Sequence, residues 1–391
     1  MQLYDLIIIG GGPAGLSTAL HVHALAPHLK LVVLEAKSYP REKICAGGIG
    51  ARAFAILDKL GITVDVPMVK LDAVAMRIGG EEVVARVPGC GVVVRRVEFD
   101  HALAKQTLAR GIDVRDATPV SSIEVTDEHV QVVTERGDLL RARAIVGADG
   151  VSGITRRATG FPRCELRAQV CELDTEATSF DMPRDMVVFD FEARDLNGYR
   201  WDFPTIVGGK DMVCRGAYVI HNMGHDSPKT RMATYLRERG LDLANYKLKQ
   251  YAERGFEPGA EIASPRVLLV GEAAGIDIAT GEGIAQAIEY GALAGTYLAS
   301  AFERDNLLFS TWRHTVERRH IGKQLRIRHL CYRFFYGRHR PRMERMLPKL
   351  EKWFRVGVQD FAGVPLSKLA LAQGAAIFIG QLAREGMRAP D

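Results

Sequence analysis

Cysteine is scarce and scattered. The 391 residues contain six (Cys45, Cys90, Cys164, Cys171, Cys214 and Cys331), and no two of them form a CxxC pair. That pattern excludes a disulfide-dense scaffold and gives no zinc-ligand spacing, so reduced thiols and no metal are expected. Long apolar runs are missing too. No uncharged apolar stretch reaches the roughly 18 residues of a spanning helix, and 369–383, although apolar, is too short. Repeats and low-complexity linkers are absent, which excludes a solenoid or a string of flexible modules. No secretory leader stands ahead of the first motif, so a cytoplasmic protein is expected.

Glycine is present in three telling places, each after an apolar run of strand-like length. Leu6-Ile7-Ile8-Ile9 runs into Gly10-Gly11-Gly12-Pro13-Ala14-Gly15. Ala144-Ile145-Val146 runs into Gly147-Ala148-Asp149-Gly150, and Val267-Leu268-Leu269-Val270 into Gly271-Glu272-Ala273-Ala274-Gly275. In the first, Gly10 permits a tight turn and Gly12 a close backbone approach to a pyrophosphate. Gly15 lets the following helix pack on the sheet, its N-terminal N–H groups facing the phosphates. The next apolar run, Leu31-Val32-Val33-Leu34, ends in Glu35-Ala36, where an acid would accept the ribose hydroxyls and repel a 2′-phosphate. A ligand-free glycine turn explains none of this spacing. One signal alone would suit FAD or NAD; three in this order point to a single FAD held by distant stretches.

The chain reads as an α/β protein of interleaved units. A Rossmann-like FAD-binding domain is expected over 1–75, 94–160 and 260–302. An antiparallel β-sheet substrate domain is expected over 76–93 and 161–259, and a C-terminal helical region over 303–391. Within these, 97–110 has helical periodicity and 112–146 reads as short strands. The segments 186–191, 199–203 and 212–220 are strand-rich and aromatic, and 283–302 reads as a long Ala/Gly-rich helix beneath the cofactor.

The order of the three motifs resembles flavoproteins of the p-hydroxybenzoate hydroxylase fold, and within them the geranylgeranyl reductase family. Pro40-Arg41-Glu42-Lys43-Ile44-Cys45-Ala46-Gly47-Gly48 is similar to that family's cysteine–glycine loop beside the isoalloxazine ring. Tyr199-Arg200-Trp201-Asp202-Phe203-Pro204 is similar to its YxWxFP lipid-cavity signature, and Arg96-Val97-Glu98-Phe99-Asp100 to its RxxFD segment, whose arginine contacts the cofactor. The resemblance, which covers roughly residues 1–300, implies cofactor contacts from Cys45, Ala46, Gly48, Arg96, Val120, Gly281, Gly283 and Ile284. Substrate contacts are implied from Tyr199, Trp201, Phe203 and Pro204. Two departures stand out: Glu272 occupies the usual aspartate position, one methylene longer, and the family's Gly-x-Gly after the FP pair is absent.

Several residues carry two readings. Cys45 is a flavin neighbour with a catalytic role in reserve, or a small soft residue filling a loop. Arg41 and Lys43 are flavin or phosphate partners, or solvated charges. Tyr199, Trp201 and Phe203 alternate and so share one strand face, either an ordinary core face or an apolar wall for a polyprenyl chain, with Arg200 and Asp202 opposite. From Arg313 to Arg355 there are fourteen Lys and Arg against three acids, interleaved with Trp312, Tyr332, Phe334, Phe335, Tyr336, Trp353 and Phe354. That mixture suits an anionic membrane surface over 312–355, or a helical face packed by its aromatics; no groove-reading motif supports nucleic acid.

The resemblance implies an FAD-dependent reductase saturating carbon–carbon double bonds of an isoprenoid chain. Electrons would come from NAD(P)H or a ferredoxin-like carrier, and the substrate is an apolar molecule or lipid. No residue announces itself as the proton donor. The rivals are a flavin monooxygenase acting on an aromatic or polyketide-like substrate, and a membrane-surface binding protein with a structural FAD.

Overall fold

A computed structural model describes residues 2–193, 196–220, 227–336, 339–365, 376–378 and 380–381. The apolar run Leu6-Ile7-Ile8-Ile9 is almost completely excluded from water because the strand Gln2–Ile9 lies in the middle of a parallel sheet covered on both faces. It pairs with Leu31–Leu34 on one side and Leu139–Gly147 on the other, with Ile7 opposite Val32 and Ile145. Val267–Leu269 and Asp113–Arg115 extend the two edges in parallel. All three glycine motifs therefore leave the same, carboxyl edge of one sheet, where open α/β sheets bind ligands.

The strands Val120–Val125 and Val130–Thr134 run antiparallel and rejoin the sheet through Leu139–Gly147, as the alternation over 112–146 implied. Helices Pro13–Leu25 and Ile284–Glu303 cover one face. They touch closely because Gly291 and Gly295 leave no side chain there: a Cβ on either would stand 2.5 or 2.3 Å from Ser17 and His21.

The second sheet has eight strands in the order Lys249–Arg254, Arg167–Thr175, Lys210–Ile220, Gly198–Val207, Met186–Asp190, Met68–Ile78, Glu81–Val94 and Gly48–Gly50. It is antiparallel except where Met186–Asp190 runs parallel to Met68–Ile78. Here the structure departs from expectation. Residues 48–50 and 68–75, assigned from sequence to the nucleotide unit, belong to this second sheet. The missed signal is the Gly79-Gly80 turn, both residues at positive φ, which closes Met68–Ile78 onto Glu81–Val94 as a two-residue hairpin.

The C-terminal helices Trp312–Arg318, His320–Phe335, Arg340–Met346 and Glu351–Ala362 do not stand apart. Trp312 is fully buried and its indole donates to Leu269 O at 3.1 Å. Phe334, Tyr336, Met343, Leu347 and Val358 share one apolar cluster with Tyr199, Trp201, Phe203 and Tyr218 of the second sheet. No helix among the described residues is long and apolar enough to cross a membrane. Most of the apolar segment 369–383 lies outside the described residues.

Candidate functional site

A single cavity of about 1290 Å³ runs from the first glycine turn to the C-terminal helices. It exceeds the roughly 300–1,000 Å³ of an ordinary small-molecule pocket, so it has room for a cofactor and a second, apolar ligand. Its walls bring together most of the residues singled out in the sequence: Gly10, Gly12, Pro13, Ala14, Glu35, Ala36, Cys45, Ala46, Gly48, Arg96, Val120, Asp149, Gly150, Glu272, Gly281, Gly283 and Ile284, with Tyr199, Trp201 and Phe203.

At the nucleotide end, Gly10 has φ +107° and leaves no space for a side chain, since a Cβ would lie 2.4 Å from Ala148 O. Gly12 caps the helix Pro13–Leu25. Glu35 follows the second strand as expected; its Oε2 accepts from Gly11 N at 2.9 Å and its Oε1 from Lys37 N at 3.0 Å. Arg41 bridges Glu35 and Asp100, at 3.1 Å from each; its side chain is ion-paired and largely buried rather than a solvated charge. Arg96 is gripped by Asp100 through two 2.7 Å bonds, which fixes its guanidinium at the cavity wall.

The middle of the cavity carries buried acceptors without partners. Asp149 Oδ2 accepts from the Thr155 backbone N–H and hydroxyl, both at 2.8 Å, while Oδ1 is buried and unbonded among the described residues. Glu272 Oε2 takes the Tyr251 hydroxyl and lies 3.5 Å from Lys43 Nζ, while Oε1 is likewise unbonded. Buried polar atoms left so are costly unless a ligand satisfies them. Two of them, on residues of the cavity wall at the second and third glycine motifs, suit the hydroxyl-bearing middle of FAD. The acceptor set fits the cofactor.

Cys45 lies beside this stretch, with its sulfur accepting from Gly47 N at 3.4 Å. Burial pushes its thiol above the usual range, against the pull of Arg96, so it is a neutral S–H rather than a thiolate nucleophile. Gly281 (φ +69°) and Gly283 shape the approach to the helix Ile284–Glu303. Their loop is pinned from inside: Asp277 Oδ1 accepts from Ala279 N at 2.8 Å, and Arg328 reaches Asp277 at 3.1 Å and Glu282 at 3.5 Å.

The apolar end is an aromatic wall. Tyr199, Trp201 and Phe203 alternate along Gly198–Val207 and line the cavity with Phe189, Phe191 and Tyr218. Tyr199 stacks on Tyr218 with centroids 5.0 Å apart, and Phe189 lies 5.4 Å from Phe203. Arg200 and Asp202 face away, as alternation requires; Asp202 is held by Arg215 at 2.7 Å and Arg239 at 2.9 Å. Trp201 fits because its neighbour across the sheet is Gly216, where a Cβ would fall 1.9 Å from the indole.

Four expected contacts are not on the wall. Pro204, one residue past Phe203, is on the opposite sheet face and borders a separate hollow of about 40 Å³ beside Asp202. Gly15, Gly271 and Gly275 act by packing: a Cβ on them would meet Gly10 O at 1.9 Å, Ala14 at 2.6 Å and Gly255 O at 2.8 Å respectively. Conversely, Tyr218, Glu253, Asp277, Glu282 and Arg328 shape or brace the cavity and escaped the sequence reading. Four of them sit on single strands and loops and Arg328 on the helix His320–Phe335, with no spacing signal, and only the pairing of the second sheet and the docking of that helix bring them in.

Strand-glycine turns, the acid after the second strand and unpartnered buried acceptors define an FAD-binding flavoprotein. The chain belongs to the lycopene cyclase protein family, an FAD-dependent family whose model matches residues 5–379, and it is similar to geranylgeranyl reductases. Digeranylgeranylglycerophospholipid reductase 2 of Methanothermobacter thermautotrophicus is 27% identical over 338 residues, covering 82% of this chain and 85% of its own. A geranylgeranyl bacteriochlorophyll reductase-like protein of Thermoplasma acidophilum superposes with TM-score 0.70 at 19% identity, over 98% of both chains. The flavin-dependent brominase Bmp2 superposes with TM-score 0.75 at 16% identity, over 98% of this chain and all of its own, so the fold by itself does not select a reaction.

Proposed function

We propose that this protein is an FAD-dependent reductase that saturates carbon–carbon double bonds of an isoprenoid chain. The observation that carries the reading is the continuity of one cavity from the Gly12 turn and Glu35 to the Tyr199–Trp201–Phe203 wall. A nucleotide alone needs no such wall, whereas a polyprenyl tail does. The similarity to digeranylgeranylglycerophospholipid reductases along most of the chain supports an isoprenoid lipid as substrate.

In this reading Gly10, Gly12 and the N-terminus of the helix Pro13–Leu25 would hold the pyrophosphate, and Glu35 the ribose. Asp149 Oδ1 and Glu272 Oε1 would accept from the hydroxyls between phosphate and ring, and Gly281, Gly283 and Ile284 would meet the ring edge. Bound FAD supplies two-electron hydride chemistry. The protein does the rest: the aromatic wall aligns the alkene, and burial by the C-terminal helices excludes water. NAD(P)H or a ferredoxin-like carrier would supply the electrons.

The deciding experiment is anaerobic. The purified holoprotein is reduced and mixed with a geranylgeranyl-bearing lipid; return of the oxidised-flavin absorbance with gain of two hydrogens per double bond is expected. A flavin that stays reduced until oxygen is admitted, with the lipid unchanged, would overturn the reductase in favour of a monooxygenase. A flavin that no physiological donor reduces would favour a structural cofactor.

We further propose that the cavity opens toward an anionic membrane. Lys323, Ile327 and Gly357, exposed members of its lining, mark an opening at the C-terminal helices. Arg326, Leu330, Arg333, Lys352 and Arg355 are exposed on the same two helices. Cations beside protruding aliphatic side chains suit a headgroup layer from which a lipid tail enters.

A further inference from the structure

Reducing an alkene takes a proton as well as a hydride, and no sequence motif supplies the acid. Inside the cavity one carboxyl differs from the rest. Glu253, on the strand Lys249–Arg254 opposite Ala168, is buried at 9% exposure and lines the cavity wall. Among the described residues it forms no ion pair: Lys43 is engaged by Glu272 at 3.5 Å, and Arg254 turns to Val151 O at 3.0 Å. The other buried acids in and beside this cavity are held by cations or backbone donors, as Glu282 and the neighbouring Asp277 are by Arg328.

The partner of Glu253 is Tyr218. Its hydroxyl lies 3.0 Å from Glu253 Oε1 and 3.2 Å from Ile278 O. One hydroxyl hydrogen thus faces two acceptors. With Glu253 neutral both are satisfied, since Tyr218 donates to the Ile278 carbonyl and accepts from the carboxyl. With Glu253 ionised, one acceptor loses its donor and a charge remains in an apolar wall. The surroundings favour the neutral form. Burial raises the Glu253 pKa well above the ordinary carboxylate range, and repulsion from Glu272 and Asp277 adds to this, against the Tyr218 bond and the charge of Lys43. The position is equally apt: Tyr218 stacks on Tyr199 of the aromatic wall, and Ile278 belongs to the loop leading to Gly281.

We propose that Glu253, hydrogen-bonded to Tyr218, is the general acid that protonates the alkene carbon of the bound isoprenoid. This rests on the reductase reading. As the π bond breaks, one carbon gains a hydride with its electron pair from the reduced flavin. The other carbon forms a C–H bond with the hydrogen of the Glu253 O–H, whose electron pair stays on the carboxylate. The alkene is reduced and the flavin oxidised by two electrons; the carboxylate regains its proton from water before the next turnover.

The test compares wild type with Glu253→Gln, which keeps shape and neutrality but holds no acidic proton. Lipid-driven flavin reoxidation should fall by about 10²–10⁴-fold, while FAD content and reduction of the flavin by dithionite stay unchanged. A readout independent of turnover is the infrared band of a protonated carboxyl at neutral pH, deuterium-sensitive in wild type and lost in Glu253→Gln. Tyr218→Phe, which retains the ring, should shift that band and move the pH profile of reoxidation. Undiminished reoxidation in Glu253→Gln beside an active wild type would overturn the acid role alone, as would a missing carboxyl band. Lipid left unchanged by wild type itself would overturn the reductase reading and the acid role with it.

Discussion

Gly216 shows how one missing side chain shapes the substrate end of the cavity. The indole of Trp201 occupies the space above it, so that even a methyl group would overlap the ring. Trp201 in turn keeps its place in the wall with Tyr199, 6.2 Å away centroid to centroid. Replacing Gly216 by Ala should therefore overpack a site that cannot relax without moving the wall. The expected loss is about 1–3 kcal/mol, read as a lower urea midpoint at unchanged slope. Lipid turnover should fall further than flavin content. A variant as stable as wild type would mean that the ring shifts freely. At the same scale, burial raises the Cys45 thiol above its usual range and favours its neutral form.

At the scale of elements, the C-terminal helices act as a brace on the cofactor face. His320, at the start of the helix His320–Phe335, stands between Glu289 at 3.0 Å and Asp360 at 3.3 Å. Those acids belong to the helices Ile284–Glu303 and Glu351–Ala362, so one imidazolium ties three helices together. Its bonds to Asp360 and Glu289 raise its pKa to about 10, and Asp360 is lowered to about 2 by its bonds to His320 and Gln324 in spite of burial. The contribution of His320 is complete below its unfolded pKa of about 6.5 and is lost as pH rises through about 10. That of Asp360 is complete above about 3.9 and is lost as pH falls through about 2. Thermal midpoints should thus decline on the alkaline side from about pH 7 upward, and His320→Gln should flatten that limb. Parallel curves for the two proteins would show that the helices are held by packing alone. None of this was legible beforehand. The acids lie 31 and 40 positions from the histidine, and the basic, aromatic composition of the region left open whether it forms a membrane surface or a packed helical face.

For the whole molecule, the arrangement of two sheets and a helical cover turns a nucleotide site into a lined passage. The helices that close it present cations and the exposed Ile327 (61%) and Leu330 (48%) around its opening. Vesicles of anionic lipid should co-sediment the protein at low salt and release it as salt rises, because surface charges are screened within about 8 Å at physiological ionic strength. Replacing Ile327 and Leu330 by Ser should weaken that binding without altering flavin content. Equal partitioning to neutral and anionic vesicles would remove the membrane proposal.

The cofactor side was determined by the sequence itself, because its chemistry is local. A strand, a glycine turn and a helix start within about fifteen residues, and a site of this kind is made of the backbone of such a segment. Period-two alternation likewise placed Tyr199, Trp201 and Phe203 on one face, and the same rule sends Pro204 to the other. Tertiary structure decided what no local pattern encodes. Strand pairing joined Met186–Asp190 in parallel to Met68–Ile78 and set Glu253 against Tyr218. Arg328 came from a distant helix to hold Asp277. Those pairings join side chains far apart in the chain, so their chemistry exists only once burial has removed water from between them.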